Sequence, residues 1–339
     1  MEKFRQRARA AIYSGLYYSG IVHLYMKCVF LGKKEYPLLV LNFHSFVENY
    51  DNCLTPEPAV YMPIDRTGKL LQFCARYFHF TSLDSAVEQL RTGTPFTEPT
   101  LVLTTDDGFA DNYELLFPEL KARGIPATMF ITTGLIGTLD KLWLERLHEA
   151  TIQTSVTVAS LKINNKVTNF ELGSIEQKRA SYVTLKELLK DCPAEVREQH
   201  LADFEKQLNY TVPLSPVMLS WEQVTEMHQQ GISFGAHTMT HPILSRLPVN
   251  DAKKEILDSK NLIEEKLQTK VRHFAFPNGA AKDFSEELQT YCKTIGLDSI
   301  SSAEWGNNKV ADDRWNLKRI PPCLPISEFA IYMVRAFLR

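Results

Sequence analysis

The chain has 339 residues, with 38 Lys and Arg against 40 Asp and Glu, a net charge of −2 and 44% hydrophobic residues. That is ample for one large core or two average ones, and the near-neutral balance, with no Lys/Arg-rich run or RNA-binding aromatic signature, speaks against nucleic acid as a partner. The six cysteines, Cys28, Cys53, Cys74, Cys192, Cys292 and Cys323, are scattered without a Cys-x-x-Cys pair. This excludes a zinc ribbon or a disulfide framework and favours a reducing compartment.

The chain opens on a basic stretch, with Arg5, Arg7 and Arg9, followed by a fairly apolar segment to Leu31. His23 and Lys27 interrupt it and no small-residue cleavage site follows, so it reads as neither a secretory signal nor a membrane span. The expected location is cytoplasmic. Ile12, Leu16, Ile21, Leu24, Tyr25 and Cys28 have roughly helical spacing. Residues 1–37 are thus an N-terminal helical segment. It either packs on its own domain or, with its arginines, Lys27, Tyr13, Tyr17 and Tyr18, makes a peripheral contact with a membrane surface.

From residue 38 onward, strand and helix signals alternate. Leu38–Leu41 is an apolar run that reads as a first buried strand, and 70–76 and 83–90 read as helices. Leu101–Thr104 is the next strand, Tyr113–Arg123 a helix stopped by Gly124, and Ala127–Thr132 a further strand. Later come a helix at Trp221–Gln230, a strand at Ile232–Ala236, a long amphipathic helix at Asn250–Thr269, and strands at His273–Phe276 and Asp298–Ser301. Such alternation implies a parallel sheet with crossover helices. The stretch from about 139 to 216 departs from this rhythm. A strand-like piece, Ser155–Val167, leads into Glu- and Lys-rich helices at Gln177–Lys190 and Ala194–Leu208, so it reads as an insertion. One domain over 38–339, carrying that insertion, is expected.

Two motifs carry chemistry. In Leu101-Val-Leu-Thr-Thr-Asp-Asp-Gly108 an apolar strand delivers Asp106 and Asp107 to its C-terminal edge. Neighbouring side chains point to opposite faces, so the two acids are free to serve different ends. Asp-Asp-Gly is also ordinary turn chemistry. In Gly235-Ala-His-Thr-Met-Thr-His-Pro242, His237 and His241 sit at a strand end rather than on a helix, because Gly235 and Pro242 flank them. They read either as two surface histidines or, with one Asp, as a three-ligand metal site with room for water.

These motifs occur with Phe274-Ala-Phe-Pro-Asn-Gly279 in an order that resembles the polysaccharide deacetylases, the NodB-type homology domain of carbohydrate esterase family 4. The resemblance extends through Asp106–Tyr113, Pro118–Thr133 and Leu219–Val224, and spans roughly Leu38 to Ile320 apart from the insertion. It implies a distorted (β/α) barrel of about seven parallel strands. It also implies Asp107, His237 and His241 as metal ligands, Asp106 as general base, and the Pro277–Asn278 turn as the source of an oxyanion donor at Asn278. The cofactor expected is a divalent metal, zinc by default, with Co, Ni or Mn also accepted by such a donor set.

Three departures from the family pattern stand out. Ala275 occupies the place of an Arg that pairs with the base in many members, so Asp106 is expected to lack that partner and to have a higher pKa. Thr105 replaces an aromatic. The Leu-x-His motif that supplies the general acid near the C-terminus is missing, with Ile320-Pro-Pro-Cys-Leu324 in its region. His44, at the end of the first strand, is expected to fill that role, since first and last strands of a barrel are neighbours. This is similar to the biofilm poly-N-acetylglucosamine deacetylases, where the motif is circularly permuted. Trp143, Trp221 and Trp305 are either core residues or sugar-stacking platforms, Trp305 being favoured for the latter. Asp111 and Asn112 read as caps of the following helix.

The expected activity is metal-dependent removal of acetyl from an N-acetylated sugar, with N-acetylglucosamine in a polysaccharide or a lipid- or nucleotide-linked precursor as substrate. A deformylase or amidase acting on another amide, and a non-catalytic glycan-binding homologue, are the alternatives.

Overall fold

A computed structural model describes residues 2–31, 33–50, 53–54, 59–163, 166–211 and 217–338. The chain forms two compact units. The first comprises Met1–Glu48, Glu57–Ile136 and Leu219–Arg339, the second Asn49–Pro56 and Gly137–Met218.

The first unit is built on a parallel sheet. Its strands are β1 (Leu38–Phe43), β2 (His79–Phe80), β3 (Thr100–Thr105), β4 (Ala127–Ile131), β5 (Ser233–Ala236), β6 (His273–Ala275), β7 (Ser299–Trp305) and β8 (Leu317–Arg319). Seven of them follow the path β1-β3-β4-β5-β6-β7-β8, and the short β2 pairs with the start of β3, where β4 has not yet begun. A bridge between Leu41 and Ile320, with hydrogen bonds from Asn42 N–H to Ile320 O and from Ile320 N–H to Val40 O, brings β8 back to β1. The result is a nearly closed seven-stranded (β/α) barrel, as the family resemblance implies, built on the parallel sheet that the alternating pattern predicts. Every residue of β1, β3 and β4 is buried, as expected for strands covered on both faces.

Period two sorts these strands into two layers. Leu39, Leu41 and Phe43, with Leu101 and Leu103, face the surrounding helices, among them Ile64–Tyr77, Val249–Leu267 and Ile326–Leu338. The last of these helices has no counterpart in the sequence reading, yet buries Phe329, Met333 and Phe337. Leu38, Val40 and Val102 share a second cluster with Phe130, Ala275 and Leu317, and the helix Leu83–Thr92 adds Leu83, Ala86, Val87 and Leu90 to it. Along these same registers the side chains turn polar toward the strand ends: Asn42 and His44, Thr104 and Asp106, then Arg319. The barrel interior is therefore apolar at one end and chemically functional at the other.

The expected helix at Tyr113–Arg123 has two parts, a π-helical turn at Asn112–Leu116 and an α-helix at Phe117–Arg123. N-terminal to β1 lie two helices, Glu2–Tyr18 and Ile21–Phe30, separated at Gly20, whose φ of 83° ends the first. Among the described residues no helix is long and apolar enough to cross a membrane.

The second unit pairs an antiparallel hairpin, Val158–Ile163 with Lys166–Glu171, with helices Trp143–Gln153, Ile175–Lys190 and Ala194–Gln207. The hairpin buries one face through Ala159, Leu161 and Phe170, which join Leu147, Leu185, Leu189, Leu201 and Phe204 in a core of their own.

Candidate active site

The C-terminal ends of the barrel strands collect His44 after β1, Asp106 and Asp107 after β3, His237 after β5, Pro277 and Asn278 after β6, Trp305 at the end of β7 and Arg319 at the end of β8. At Asp107 the backbone adopts a left-handed conformation, φ 75°, followed by Gly108 at φ 90°. A Cβ on Gly108 would lie 3.0 Å from Ile131 and Ile136, so both space and dihedral call for glycine. This turn sends the two carboxylates apart.

Asp107 joins His237 and His241. Their ligand atoms lie within 4.8 Å of one another, the one such trio among the described residues. Asp107 Oδ1 is 3.4 Å from His237 Nε2 and 3.2 Å from His241 Nε2, yet it is buried and accepts no hydrogen bond. His237 Nδ1 lies 2.8 Å from the Ala275 carbonyl. It must donate there, so a neutral His237 aims its Nε2 lone pair at the Asp107 oxygen. Acceptors facing acceptors in a buried space repel one another unless a cation lies between them. Two ligands held about 2.0–2.1 Å from a tetrahedral zinc are separated by roughly 3.3–3.4 Å, so the spacing suits that ion. The residues present therefore fit a divalent metal. Where the cation is instead a proton on the imidazoles, burial still pushes the Asp107 carboxyl up, but protonated His241, His237 and His44 outweigh it and hold it well below the usual carboxylate range.

The loop bearing the histidines is shaped by contacts that the sequence does not announce. Thr238 and His241 take positive φ, 69° and 59°. Glu255, from the helix Val249–Leu267, accepts the N–H groups of Met239 (2.8 Å) and Thr240 (3.0 Å) and the Thr240 hydroxyl (2.9 Å). On the other side Gly134 N–H donates to the Met239 carbonyl at 2.9 Å, an approach that a Cβ on Gly134 would block at 2.5 Å.

Asp106 turns the other way, into the barrel, and there the expectation that it lacks a partner is overturned. Arg319 holds it with two parallel hydrogen bonds, Nη1 to Oδ1 at 2.7 Å and Nη2 to Oδ2 at 2.8 Å. Asn42 Nδ2 donates to Oδ2 as well, at 3.1 Å. Arg319 is 2% exposed and is fixed in turn by the Ser302 carbonyl (2.7 Å) and Asn42 Oδ1 (2.9 Å). The cation thus comes from β8 rather than from position 275, because barrel closure sets β8 beside β1. The expected rise in pKa is corrected with it. Burial pushes the Asp106 carboxyl up, but the Arg319 guanidinium, His237 and His44 outweigh burial and leave it below the usual value.

His44 faces this carboxylate. Its Nδ1 contacts the Ala59 carbonyl at 2.8 Å, and its Nε2 lies 3.8 Å from Asp106 Oδ2 with the ring partly open to solvent. Asp111 and Asn112, expected as helix caps, instead brace this strand end. Ser45 Oγ donates to Asp111 Oδ2 at 2.5 Å, and Asn112 Nδ2 donates to the His44 carbonyl at 2.8 Å, while Asp111 caps no helical N–H with its side chain.

The Pro277–Asn278 turn is tight, with Gly279 N–H donating to the Pro277 carbonyl at 2.7 Å. Pro277 is buried, whereas Asn278 is exposed at φ 58°. Trp305 stands in register with Arg319 across β7 and β8, and, like Trp221, it packs partly buried against the barrel's outer core, its ring edge-on to Tyr332 at 5.7 Å between centroids. Trp143 lies in the second unit, stacked under Arg197, and Trp221 packs partly buried against the barrel's outer core. Trp221 lies outside the group of residues gathered at the strand ends.

A parallel barrel whose strand ends unite a His-His-Asp trio with a separately paired carboxylate is the architecture of a deacetylase of the carbohydrate esterase type. The sequence model for polysaccharide deacetylase matches residues 93–300, more than half of the chain, and this protein belongs to that family. Among curated proteins none matches it. Among solved structures it is similar to Streptococcus pyogenes deacetylase PplD in complex with acetate, at 17% identity and TM-score 0.60 over 89% of this chain and 99% of that one. It is also similar to IcaB from Ammonifex degensii, at 17% identity and TM-score 0.56, covering 88% and 97%. A de-N-acetylase from Aggregatibacter actinomycetemcomitans follows the same fold at 17% identity and TM-score 0.52, covering 87% and 99%.

Proposed function

We propose that this protein is a metal-dependent hydrolase that removes acetyl from an N-acetylated sugar, with N-acetylglucosamine in a glycan or glycan precursor as substrate and zinc as the metal. The observation that carries the reading is the division of labour between two adjacent carboxylates. Asp107 points its unpaired oxygen at two imidazoles, while Asp106 is locked by Arg319 and Asn42 and faces His44. Two structures that share this fold, the deacetylase PplD in complex with acetate and the de-N-acetylase from Aggregatibacter actinomycetemcomitans, support the same direction.

Asp107, His237 and His241 would hold the ion, which when bound polarises the amide carbonyl and acidifies an attacking water. Asp106 takes the proton from that water. Held ionised by Arg319, it is a weak base, but it is ready at any pH near neutral, and its geometry is fixed before substrate arrives. The Asn278 backbone N–H, presented by the turn after β6, stabilises the developing oxyanion. His44 donates from Nε2 to the departing amine, with its Nδ1–H anchored on Ala59 so that the ring cannot swing away. Trp305 is proposed to wall the sugar subsite.

Acetate release from a panel of N-acetylglucosamine oligomers and activated N-acetyl sugars, with and without chelator, tests this. Chelator-sensitive release from a sugar is expected. Release only from formyl or non-sugar amides would replace the substrate class, and binding of glycan with no release by the metal-loaded protein would make it a binding homologue.

A further inference from the structure

Six large apolar side chains stand exposed within one short stretch: Ile12, Tyr18, Ile21, Leu24, Tyr25 and Leu31. The helix Ile21–Phe30 explains most of them. It is apolar on nearly every side, and such a helix is normally covered all round. Here only part of it is. Val22 and Met26 are buried, His23 stacks on Tyr77, and Phe30 packs edge-on against Phe337. Ile21, Leu24, Tyr25, Cys28 and Leu31 are all exposed. Their spacing sets them along one helical face, so this is a continuous stripe rather than scattered residues.

The charge around the stripe identifies what covers it. Residues 1–37 hold seven basic residues, Lys3, Arg5, Arg7, Arg9, Lys27, Lys33 and Lys34, against two acids, Glu2 and Glu35, in a chain whose net charge is −2. Glu328 engages Arg9, but Lys27, Lys33 and Lys34 stand exposed beside the stripe. A second copy of the chain would set this positive segment against itself. An acidic, apolar-cored surface would satisfy both features at once, and exposed Tyr18 and Tyr25 have the amphipathic rings suited to a headgroup layer.

We propose that the helix Ile21–Phe30 lies in the plane of an anionic lipid surface, with Ile21, Leu24, Tyr25 and Leu31 inserted and Lys27, Lys33 and Lys34 at the phosphates. Flotation of the full chain with phosphatidylcholine vesicles, with and without phosphatidylglycerol, tests it. The protein should float with the anionic vesicles and much less with the neutral ones, and salt should weaken the binding. Replacing Ile21, Leu24 and Leu31 together by Gln should lower the partition at least about tenfold, since exposed positions leave the fold intact while the buried apolar area is lost. Lys27→Glu with Lys33→Glu and Lys34→Glu should abolish the preference for anionic lipid. Binding that ignores both sets of substitutions would overturn the proposal. So would failure to float combined with a concentration-dependent dimer that the Gln variant dissolves, which would assign the stripe to a second copy.

Discussion

At Arg319 a single buried guanidinium governs the charge state of the neighbouring carboxylate. In Arg319→Met the Asp106 carboxylate would remain buried with Asn42 as its main donor. Breaking such a pair by removing one partner costs roughly 3–5 kcal/mol, and chemical denaturation should report a loss of that order. The acid limb of the pH–rate profile should shift as well. Arg319 opposes the desolvation that raises the Asp106 pKa, so its removal lets the pKa rise and moves the limb to higher pH. Arg319→Lys keeps the charge without the fork and should fall between the two. An unmoved acid limb in the Met variant would mean that Asp106 is not the base. His44 offers a second test. His44→Ala should lower turnover about 10²- to 10⁴-fold, the usual worth of a positioned proton donor, while metal content stays at the wild-type level. Loss of metal would reassign His44 to the ligand set. Asp106, Asp107, His237, His241 and His44 are legible in the sequence because each lies in or beside a short motif. Arg319 is not. Its partner lies 213 residues away, and only barrel closure brings the two together. The one hint is a charged residue inside a short strand in an otherwise apolar register.

Elements position these residues through contacts at their ends. The loop from His237 to His241 hangs between Glu255 on one helix and Gly134 after β4. Glu255→Ala should release two backbone N–H groups and the Thr240 hydroxyl, and lower metal affinity about 10- to 100-fold, as loss of the groups that orient ligands does. Gly134→Ala should act in the same direction, because its Cβ would stand 2.5 Å from the Met239 carbonyl. Competition for zinc with a chromophoric chelator would measure both, and wild-type affinity in Glu255→Ala would show that the loop holds its shape unaided. The strands themselves could be read from apolar runs such as Leu38–Leu41 and Leu101–Leu103, since burial on both faces leaves no other pattern. The helix cap assigned to Asp111 and Asn112 was not legible correctly. Short polar residues before a helix satisfy capping rules, but here the strand end of β1 competes for the same side chains and wins.

At the scale of the whole molecule, a buried histidine ties the stability of the second unit to pH. Within the second unit His148 Nε2 accepts the Leu54 N–H at 3.0 Å, so the ring is neutral there. Burial pushes its pKa down to about 4 from an ordinary 6.5. The unfolded chain therefore takes up a proton that the folded unit refuses. Stability from this group is complete above about pH 6.5 and is lost as pH falls toward about 4, to a limit of roughly 3 kcal/mol. An NMR titration should find His148 still neutral at pH 5, and a midpoint near 6.5 would refute its burial. The mid-chain departure from strand–helix alternation was visible in the sequence, but the core that Leu147, Leu185, Leu201 and Phe204 form was not. Helical periodicity marks which face is apolar without saying which faces meet.

The separation of metal holding from proton transfer is the claim on which the account rests. It is tested most directly by measuring zinc content and acetate release side by side in Asp106→Asn and Asp107→Asn, each checked for folding by circular dichroism. Asp106→Asn is expected to bind zinc at wild-type stoichiometry and to release no acetate, whereas Asp107→Asn should lose both. Loss of zinc from Asp106→Asn, or undiminished turnover in it, would contradict the account.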